Sequence, residues 1–522
     1  MLRGALSLFA GGLMGKLLGV FREGLLAYLY GTSEVAAANR MAQTAVLSPL
    51  NLVTTDALSG AFLPHEARLQ KDDLAQALAL YRIVRGGLTC LGMVFAAASI
   101  LLGQQFIKFL APGLDASFVD LTVSMVVAMA VGAPFYLYYN IAGYFAMANA
   151  DYRISSVRAT GQSVGLVIGI VAGYLCGRPA LLAWGFTVAY VLMATWAVAR
   201  IRSRGYISSD YATGSLFTRE TLSTAKPFLK SASVLIWMPL FSQSVIITEK
   251  IEASGLGVDA VAAVDYARII ADTGILLLAM PIGLASLPTF AVLAEEEFRA
   301  RLSALTRPLL ALAVLCGSLL YLLARPIVQI LFGRGQFGES SIVITSSIVR
   351  GLSLGIGALL LSYVLTKALN ARGANIQAIL SVGIAAVVTI AVRPLSVDTY
   401  GAAGLGKAIS IGAVFGALTA ALLAGIILPL LRGLLVLSPT LAAIFAASAI
   451  YPDDNAGAMV ASICVAAVWW ANVLLNRELR EAVMAIACTG KRRRAIKHRY
   501  VGRHWKSEVP THAGEQNSRG SL

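Results

Sequence analysis

The sequence contains few charged residues, and this shortage restricts the class of protein. Only 13% of its 522 residues are Asp, Glu, Lys or Arg, whereas 58% are hydrophobic. Soluble domains keep roughly a quarter of their residues charged so that water can solvate the surface. The composition therefore excludes a soluble enzyme, a secreted disulfide scaffold and a disordered linker, and it predicts a polytopic membrane protein.

Several catalytic and cofactor signals are missing as well. The five cysteines are scattered without a CxxC spacing, so we interpret them as packing residues and expect no metal. None of the four histidines lies within a long apolar run, which argues against a histidine proton relay. The sequence has no Gly-x4-Gly-Lys-Ser/Thr phosphate loop, and we expect no cofactor. Any transport by this chain would then be driven by an ion gradient, the membrane potential or the supply of substrate.

Long apolar runs make up most of the chain. A helix needs roughly 20 apolar residues to cross the hydrocarbon of a bilayer, and about fourteen runs of that length are present. The sequence thus predicts an all-α polytopic membrane protein with about fourteen transmembrane helices. Pro134, Pro239 and Pro281 lie inside runs, where they suggest kinks. The approximate spans are 5–30, 36–63, 84–107, 118–148, 157–177, 180–199, 227–248, 258–292, 306–332, 341–369, 374–392, 403–428, 432–450 and 456–475.

Lysine and arginine are distributed unevenly between alternate loops, which predicts the orientation. Seventeen follow even-numbered spans, and a basic tail from Arg477 to Leu522 lies on the same side. We therefore expect both termini in the cytoplasm, and a tail that faces anionic lipid rather than nucleic acid. The seven assigned to outer loops are Arg40, Lys108, Arg178, Lys250, Arg325, Arg334 and Arg393.

Two short motifs recur at nearly the same interval. Ala61–Pro64 resembles Ala285–Pro288, 224 residues later, and Ala148–Ala150 resembles Leu369–Ala371, 221 residues later. Transporters are commonly built from duplicated halves, although such short matches also arise by chance in Ala- and Leu-rich sequence. The division predicted from the repeat is a six-helix lobe in 1–205, a second in 220–428, two extra helices in 429–476 and a tail in 477–522.

Charges inside membrane spans are costly, and they normally face a wet cavity or a partner. The first span carries Lys16, Arg22 and Glu23. Lys16 and Glu23 lie on nearly the same helix face, whereas Arg22 points about 120° away from Lys16. We predict that Lys16 lines a polar cavity. Arg22 and Glu23 either contribute to that cavity or lie near the helix end and pair with neighbouring charges.

The eighth span places Asp265, Arg268 and Asp272 on one helix face. The two carboxylates can hold the arginine between them, which neutralises it or leaves it ready to exchange a carboxylate for a phosphate. Arginine suits a diphosphate because its planar fork donates two parallel hydrogen bonds. Together with Lys16 and Arg22, Arg268 would form a cationic site for a polyanionic head group. Asp56 and Glu249 are weaker signals, either for ion coupling or for helix packing.

Four stretches resemble the MurJ/MviN family of lipid II flippases, in the multidrug/oligosaccharidyl-lipid/polysaccharide exporter superfamily. The resemblance extends over residues 1 to 476. The stretches are Gly15-Lys16-Leu17-Leu18-Gly19-Val20-Phe21-Arg22-Glu23 continuing to Tyr30-Gly31, Gly60-Ala61-Phe62-Leu63-Pro64, Asp265-Tyr266-Ala267-Arg268 leading to Leu287-Pro288, and Leu331-Phe332-Gly333-Arg334-Gly335-Gln336-Phe337.

The resemblance implies two lobes around a cationic cavity that binds the diphosphate and sugar of an undecaprenyl-linked precursor. The last two spans would form a groove for its polyprenyl tail. The family's important basic residues match Lys16, Arg22 and Arg268, with Glu23 as the acidic neighbour. The implied partners are the lipid-linked glycan, membrane lipids and possible envelope-synthesis enzymes, and we expect a monomer.

The sequence also departs from this family. Lys16 stands where arginine is usual, and Thr54-Thr55, ahead of Asp56, replaces a pair of arginines for which Arg40 would partly compensate. The eleventh span lacks the acidic residue of a sodium site. These departures keep two alternatives open, namely a flippase for another lipid-linked saccharide, such as an exopolysaccharide repeat, and a cation-coupled exporter of small molecules. A membrane enzyme is disfavoured because the predicted outer loops are short and carry no catalytic cluster.

Overall fold

The protein is described by a computed structural model. The structure describes residues 2–207, 219–290, 293–450, 455–477 and 479–481. Within these ranges, the backbone alone is described for residues 2–10, 56–57, 219–224, 274–289 and 448–450. All regular elements in the described ranges are helices.

The helices of the first half agree closely with the predicted spans. Each apolar run became one helix or a pair of helices, because a backbone in lipid must satisfy its own hydrogen bonds. They are α1 (Leu2–Tyr30), α2 (Glu34–Thr54), α3 (Asp56–Asp72), α4 (Leu74–Leu110), α5 (Ala116–Ala130), α6 (Ala133–Ala148), α7 (Arg153–Cys176) and α8 (Ala180–Ser203).

The second half follows the same rule and ends with three further helices. They lie at the positions predicted for the last two spans. The helices of this half are α9 (Arg219–Leu235), α10 (Trp237–Gly255), α11 (Val258–Phe290), α12 (Glu295–Leu322), α13 (Ala324–Phe332), α14 (Glu339–Ser353), α15 (Ile356–Ala371), α16 (Asn375–Tyr400), α17 (Ala402–Leu423), α18 (Ile427–Val436), α19 (Ser438–Ile450) and α20 (Asn455–Leu475).

The described helices support a multi-pass membrane protein. Eight are long and apolar enough to cross a bilayer, or up to 12 if each bent pair is counted as one span. The helices α1 and α11 contain 29 and 33 residues and are also of spanning length. The count of fourteen remains a prediction.

Two of the three prolines expected to kink a span lie just after a break. The pair α5 and α6 is bent by 42° ahead of Pro134, and α9 and α10 are bent by 43° ahead of Pro239. A third bent pair, α14 and α15, turns by 52° at Gly355 without a proline. Pro281 lies within the unbroken helix α11, where the predicted kink did not become a helix break.

Small residues allow helices to approach closely. A Cβ atom on Gly11 or Gly15 of α1 would collide with Ser156 or Ala159 of α7. Lipid supplies no hydrophobic drive between helices, so close backbone contact through small residues is a main source of their association. Gly15 therefore faces α7, and the adjacent Lys16 points about 100° away from that contact.

Helices of each half pack largely within that half. The helix α1 packs on α7, which packs on α8, and α14 packs on α17, which packs on α16. The halves meet where α2 contacts α10 and α11, and where α3 contacts α9. The lobe boundaries at 1–205 and 220–428, and their origin in a repeat, remain predictions.

Candidate functional site

The turn between α1 and α2 forms the first contact between the two halves. Gly31, with φ of +56°, leaves no room for a Cβ beside Gln336, and Gly335, with φ of +62°, leaves none beside Tyr28. The amide of Gln336 donates a hydrogen bond to the carbonyl of Tyr28 at 2.9 Å. Only glycine fits both the left-handed backbone and the close approach at these positions.

Further hydrogen bonds tie the same turn to the second half. The hydroxyl of Tyr266 donates to the carbonyl of Gly31 at 3.1 Å. Thr32 donates to the carboxylate of Asp259 at 2.7 Å, and its hydroxyl lies 2.8 Å from that of Ser341. The two halves are therefore joined at the end of the molecule where α1 turns into α2.

A chain of buried charges lies about two helical turns below this contact. Glu23 of α1 pairs with Arg22 beside it and with Arg40 of α2. The Nε of Arg40 lies 3.7 Å from the carboxylate of Asp265 in α11, and its guanidinium lies 5.2 Å from the centre of the Tyr266 ring. Because Glu23 and Asp265 belong to different halves, Arg40 bridges them.

Lys250 of α10 completes the chain. Its ammonium donates to Asp265 at 2.7 Å and to the carbonyl of Val261 at 2.8 Å, and the side chain is fully buried. A buried cation is tolerated only with such partners. We call Glu23, Arg40, Lys250 and Asp265 the seam.

The partner of Arg268 differs from the one predicted. Its guanidinium pairs with Glu249 of α10 at 2.5 Å, so the prediction of a clamp between Asp265 and Asp272 was wrong. A helix face brings Asp265 and Asp272 near Arg268, and both interact with it electrostatically, but the neighbouring helix supplies the hydrogen-bonding carboxylate. Glu249 is almost fully buried, whereas Arg268 keeps about a quarter of its side chain exposed at 24%.

Lys16 and Asp272 face each other across the two halves. Both are exposed, and the ammonium of Lys16 interacts electrostatically with the carboxylate of Asp272, as does Arg268. In the described part of the chain, α1 packs on α2, α7 and α13 rather than closely on α11. The interaction therefore crosses a gap between the halves. That Lys16 lines a polar cavity remains a prediction. We call Lys16, Arg268 and Asp272 the open cluster.

Five of the seven residues assigned to outer loops lie in helices, and three of these five are buried. Arg40 is in α2, Lys250 in α10 and Arg393 in α16, and all three are buried. For Lys250 and Arg393, the predicted spans ended just before the charge, whereas the helices continue past it. Arg40 lies within the predicted span 36–63, close to the end that was counted with the outer loop. Their burial could not be inferred because each partner belongs to another helix.

Arg393, like Lys250, is fully buried. Its Nη1 donates to the carbonyl of Val245 at 3.0 Å and to the hydroxyl of Thr248, both in α10. Its Nε and Nη2 have no hydrogen-bond partner, and neither has Oε1 of Glu249. Arg393 interacts electrostatically with Glu249 and Arg268, so it belongs to the surroundings of the open cluster.

The pair Thr54-Thr55 lies at the break between α2 and α3. Thr54 is buried, donates to the carbonyl of Leu50 at 3.1 Å and contacts the hydroxyl of Tyr136 at 3.3 Å. Thr55 donates to the carbonyl of Asn51 at 2.7 Å. Both hydroxyls therefore donate hydrogen bonds to backbone carbonyls, at the two positions where the family resemblance leads us to expect charged arginines. The predicted supporting residue Asp56 lies outside the residues whose side chains are described.

The structure brings most predicted site residues into one region. Glu23, Arg22 and Arg40 join Asp265 in the ion-paired chain, while Lys16, Arg268 and Asp272 lie nearer the open gap. Their assignment to substrate binding remains a prediction. Among the described residues, no group of three or more His, Cys, Asp or Glu side chains is arranged to hold a metal ion.

These features define a class of protein, a multi-pass helical transporter whose halves meet through intramembrane charges. The chain belongs to the family described as lipid II flippase MurJ, whose model matches residues 26–473. A similar protein is the probable lipid II flippase MurJ of Bdellovibrio bacteriovorus. The two sequences are 25% identical over an alignment of 452 positions, and the match covers 82% of each chain.

Solved structures share the fold at low sequence identity. Lipid II flippase MurJ in an inward closed conformation has a TM-score of 0.76 and 16% identity, and the match covers 90% of this chain and 99% of the other. An inward-facing MATE family multidrug resistance transporter of the MOP superfamily has a TM-score of 0.66 and 14% identity, with 83% and 98% covered. Identities this low show a common fold alone.

Proposed function

We propose that the protein is a flippase that moves lipid II, an undecaprenyl-diphosphate-linked glycan precursor, across the bacterial cytoplasmic membrane by alternating access. Membership of the MurJ family supports the substrate class. The observation that carries the proposal is the open cluster, in which Lys16 of one half and Arg268 of the other interact with the same carboxylate, Asp272. A diphosphate in that gap would meet cations from both sides.

The contacts of Arg268 suit the capture of an anion. One carboxylate, Glu249, holds it, and about a quarter of its side chain stays accessible. An arriving diphosphate can accept two parallel hydrogen bonds from the guanidinium, and charge-assisted bonds are strong where water is scarce. Lys16 adds a compact charge with no fixed bonding plane, so it would follow the head group as the lobes move.

The position of the seam supports an assignment of which side of the membrane the gap faces in this state of the transport cycle. It joins the halves near the α1–α2 turn, the end that the lysine and arginine count assigns to the outside. In this arrangement the gap would face the cytoplasm, with both termini on that side. To release substrate outside, the bond between Arg40 and Asp265 must open while the cytoplasmic ends approach each other.

A second candidate is a flippase for another polyprenyl-linked saccharide, such as an exopolysaccharide repeat. Thr54 and Thr55 favour it, because their hydroxyls bond to backbone carbonyls where the resemblance leads us to expect a pair of arginines. An exporter of cationic drugs is less well supported, because Lys16 and Arg268 repel cationic cargo. The protein would act as a monomer, with envelope-synthesis enzymes as candidate partners.

Depletion of the protein in its host, followed by chemical analysis of lipid-linked intermediates, tests the function. Accumulation of lipid II supports the first candidate, and accumulation of another polyprenyl-linked saccharide supports the second. Complementation with Arg268→Ala should fail although the variant reaches the membrane. The matched control Arg301→Ala, at an exposed pair with Glu297, should complement fully. Full complementation by Arg268→Ala would eliminate the proposed site.

A further inference from the structure

A small polar cavity lies in the first half, away from the seam. It is about 80 Å³ in volume and lies between α4 and α8, with Tyr138 of α6 as part of its lining. Each water molecule occupies roughly 30 Å³ of liquid, so the cavity can hold a group of phosphate size but no glycan. Its polar lining residues are Tyr81, Arg82, Arg85, Tyr138 and Arg202.

The hydroxyl of Tyr81 is buried in this cavity without a hydrogen-bond partner. Tyr81 is 2% exposed, and Tyr138 and Arg85 lie within hydrogen-bonding distance of its hydroxyl, but neither has the geometry of a hydrogen bond to it. Buried hydroxyls normally have partners, and an exception requires a reason. An acceptor atom that enters the cavity would supply the missing hydrogen bond.

Two arginines make the expected acceptor an anion. Arg85 of α4 lies over the Tyr81 ring, with its guanidinium 5.5 Å from the ring centre. Arg202 is exposed at the end of α8, whereas its neighbour Arg200 is already paired with Asp151 at 2.8 Å. Arg82 has a contact of its own, so Arg85 and Arg202 are the cations available to a ligand.

The position along the helices indicates a lipid. The helix α4 has 37 residues, about 55 Å at 1.5 Å per residue, which exceeds a hydrocarbon core of about 30 Å. Tyr81 and Arg85 lie in its first third, and Arg202 is the penultimate residue of α8, so the cavity lies near the membrane interface. On α8, Val188 and Leu192 expose 52% and 64% of their surface, which leaves an apolar surface for acyl chains.

From this arrangement we propose that the cavity binds the phosphate of an anionic phospholipid from the surrounding bilayer. Arg85 and Arg202 hold the phosphate from two helices, and the Tyr81 hydroxyl donates a hydrogen bond to it. Basic pockets between membrane helices are suited to such head groups. The site is separate from the open cluster and does not depend on the transported substrate.

Binding to the purified full chain tests the site. Phosphatidylglycerol in mixed micelles should raise the Tm, whereas zwitterionic phosphatidylcholine should not, because a ligand that binds only the folded protein stabilises it. The variants Arg85→Gln and Arg202→Gln should each weaken phosphatidylglycerol binding by about tenfold or more. The control Arg204→Gln, at an exposed position next to the end of α8, should bind as the wild type does.

Tyr81→Phe separates ligand binding from a structural role. It should leave the Tm without anionic lipid unchanged or raised, because an unsatisfied hydroxyl is removed, and should weaken phosphatidylglycerol binding severalfold. Equal binding of phosphatidylglycerol by wild type, Tyr81→Phe and both arginine variants would overturn the proposal. Equal stabilisation by inorganic phosphate or glycerol phosphate at the same concentration would also overturn it, because the ligand would then be a soluble anion.

Discussion

The seam and the open cluster both use residues of α1 and α11, but these residues are partnered differently in the two groups. On α1, Glu23 is buried between two arginines, whereas Lys16, seven residues earlier, is exposed. On α11, Asp265 is held by Lys250 and Arg40, whereas Asp272, seven residues later, is exposed. Seven residues are two turns, so each helix carries two charge layers about 10 Å apart on one face.

This difference shows how the same two helices can contribute both to the contact that holds the halves together and to a site that would bind substrate. Charges in the seam pair with one another and hold the halves together, so few of their hydrogen-bonding groups are available to a ligand. In the open cluster, Lys16 and Asp272 are exposed, and Arg268, although paired with Glu249, keeps about a quarter of its side chain exposed. Under the proposed function, a substrate anion would bind to these exposed cations. In the proposed transport cycle, opening the seam and binding substrate would therefore involve separate residues that move with the same helices.

The largest expected effect comes from breaking the buried pair of the seam. Lys250→Met leaves Asp265 without its closest cation, and the loss of one partner of a buried pair costs about 3–5 kcal/mol. We expect a large fall in Tm and in membrane expression. The double variant Lys250→Met with Asp265→Leu should recover most of this loss, and an absence of recovery would show that the pair is not a unit.

A smaller effect on stability is expected from a substitution that weakens the seam without leaving an unpaired buried charge. Glu23→Gln keeps the shape of the side chain but weakens its bonds to Arg22 and Arg40. Charge-assisted hydrogen bonds contribute about 1.5–3 kcal/mol, and their loss would leave Arg40 less firmly held beside Asp265, so the ratio of closed to open protein should fall by up to about tenfold. Distances between spin labels placed on the α1–α2 and α10–α11 turns measure this population. Unchanged distances would contradict a gating role for the seam.

The open cluster should respond in transport rather than in stability. Lys16→Ala should lower the transport rate by about tenfold because one cation of the anion site is lost, while the Tm stays near that of the wild type. Lys16→Arg should retain or increase transport, because arginine adds a second parallel hydrogen bond. Equal transport by all three proteins would exclude Lys16 from the substrate path.

The smallest effect is expected from the basic tail. Truncation after Lys506 removes two acidic residues and one arginine but keeps the cluster of basic residues that begins at Lys491. Complementation should be nearly unchanged, because the attraction to anionic lipid comes from the retained cluster. A truncated protein that reaches the membrane but fails to complement would show a separate role for residues 507–522.

The sequence predicted the helices better than it predicted their partners. The apolar runs located nearly every helix because the bilayer demands a continuous length of internally bonded backbone. The sequence also singled out Lys16, Glu23, Asp265 and Arg268, since charges within such runs are rare. It could not assign Glu249 to Arg268, because spacing along one helix favoured Asp265 and Asp272, whereas a neighbouring helix reaches the guanidinium first.

The amino-acid order by itself determined that the chain is helical, spans a membrane repeatedly and carries cations at mid-span, because these properties follow from local hydropathy and helix periodicity. The tertiary structure alone decided which cations are neutralised and which remain open. From the sequence we assigned three cations to loops, whereas helix packing buries them among other helices. They are Arg40, Lys250 and Arg393. Whether a charge is paired depends on distances between segments that lie far apart in sequence, and close contact through residues such as Gly31 and Gly335 sets those distances.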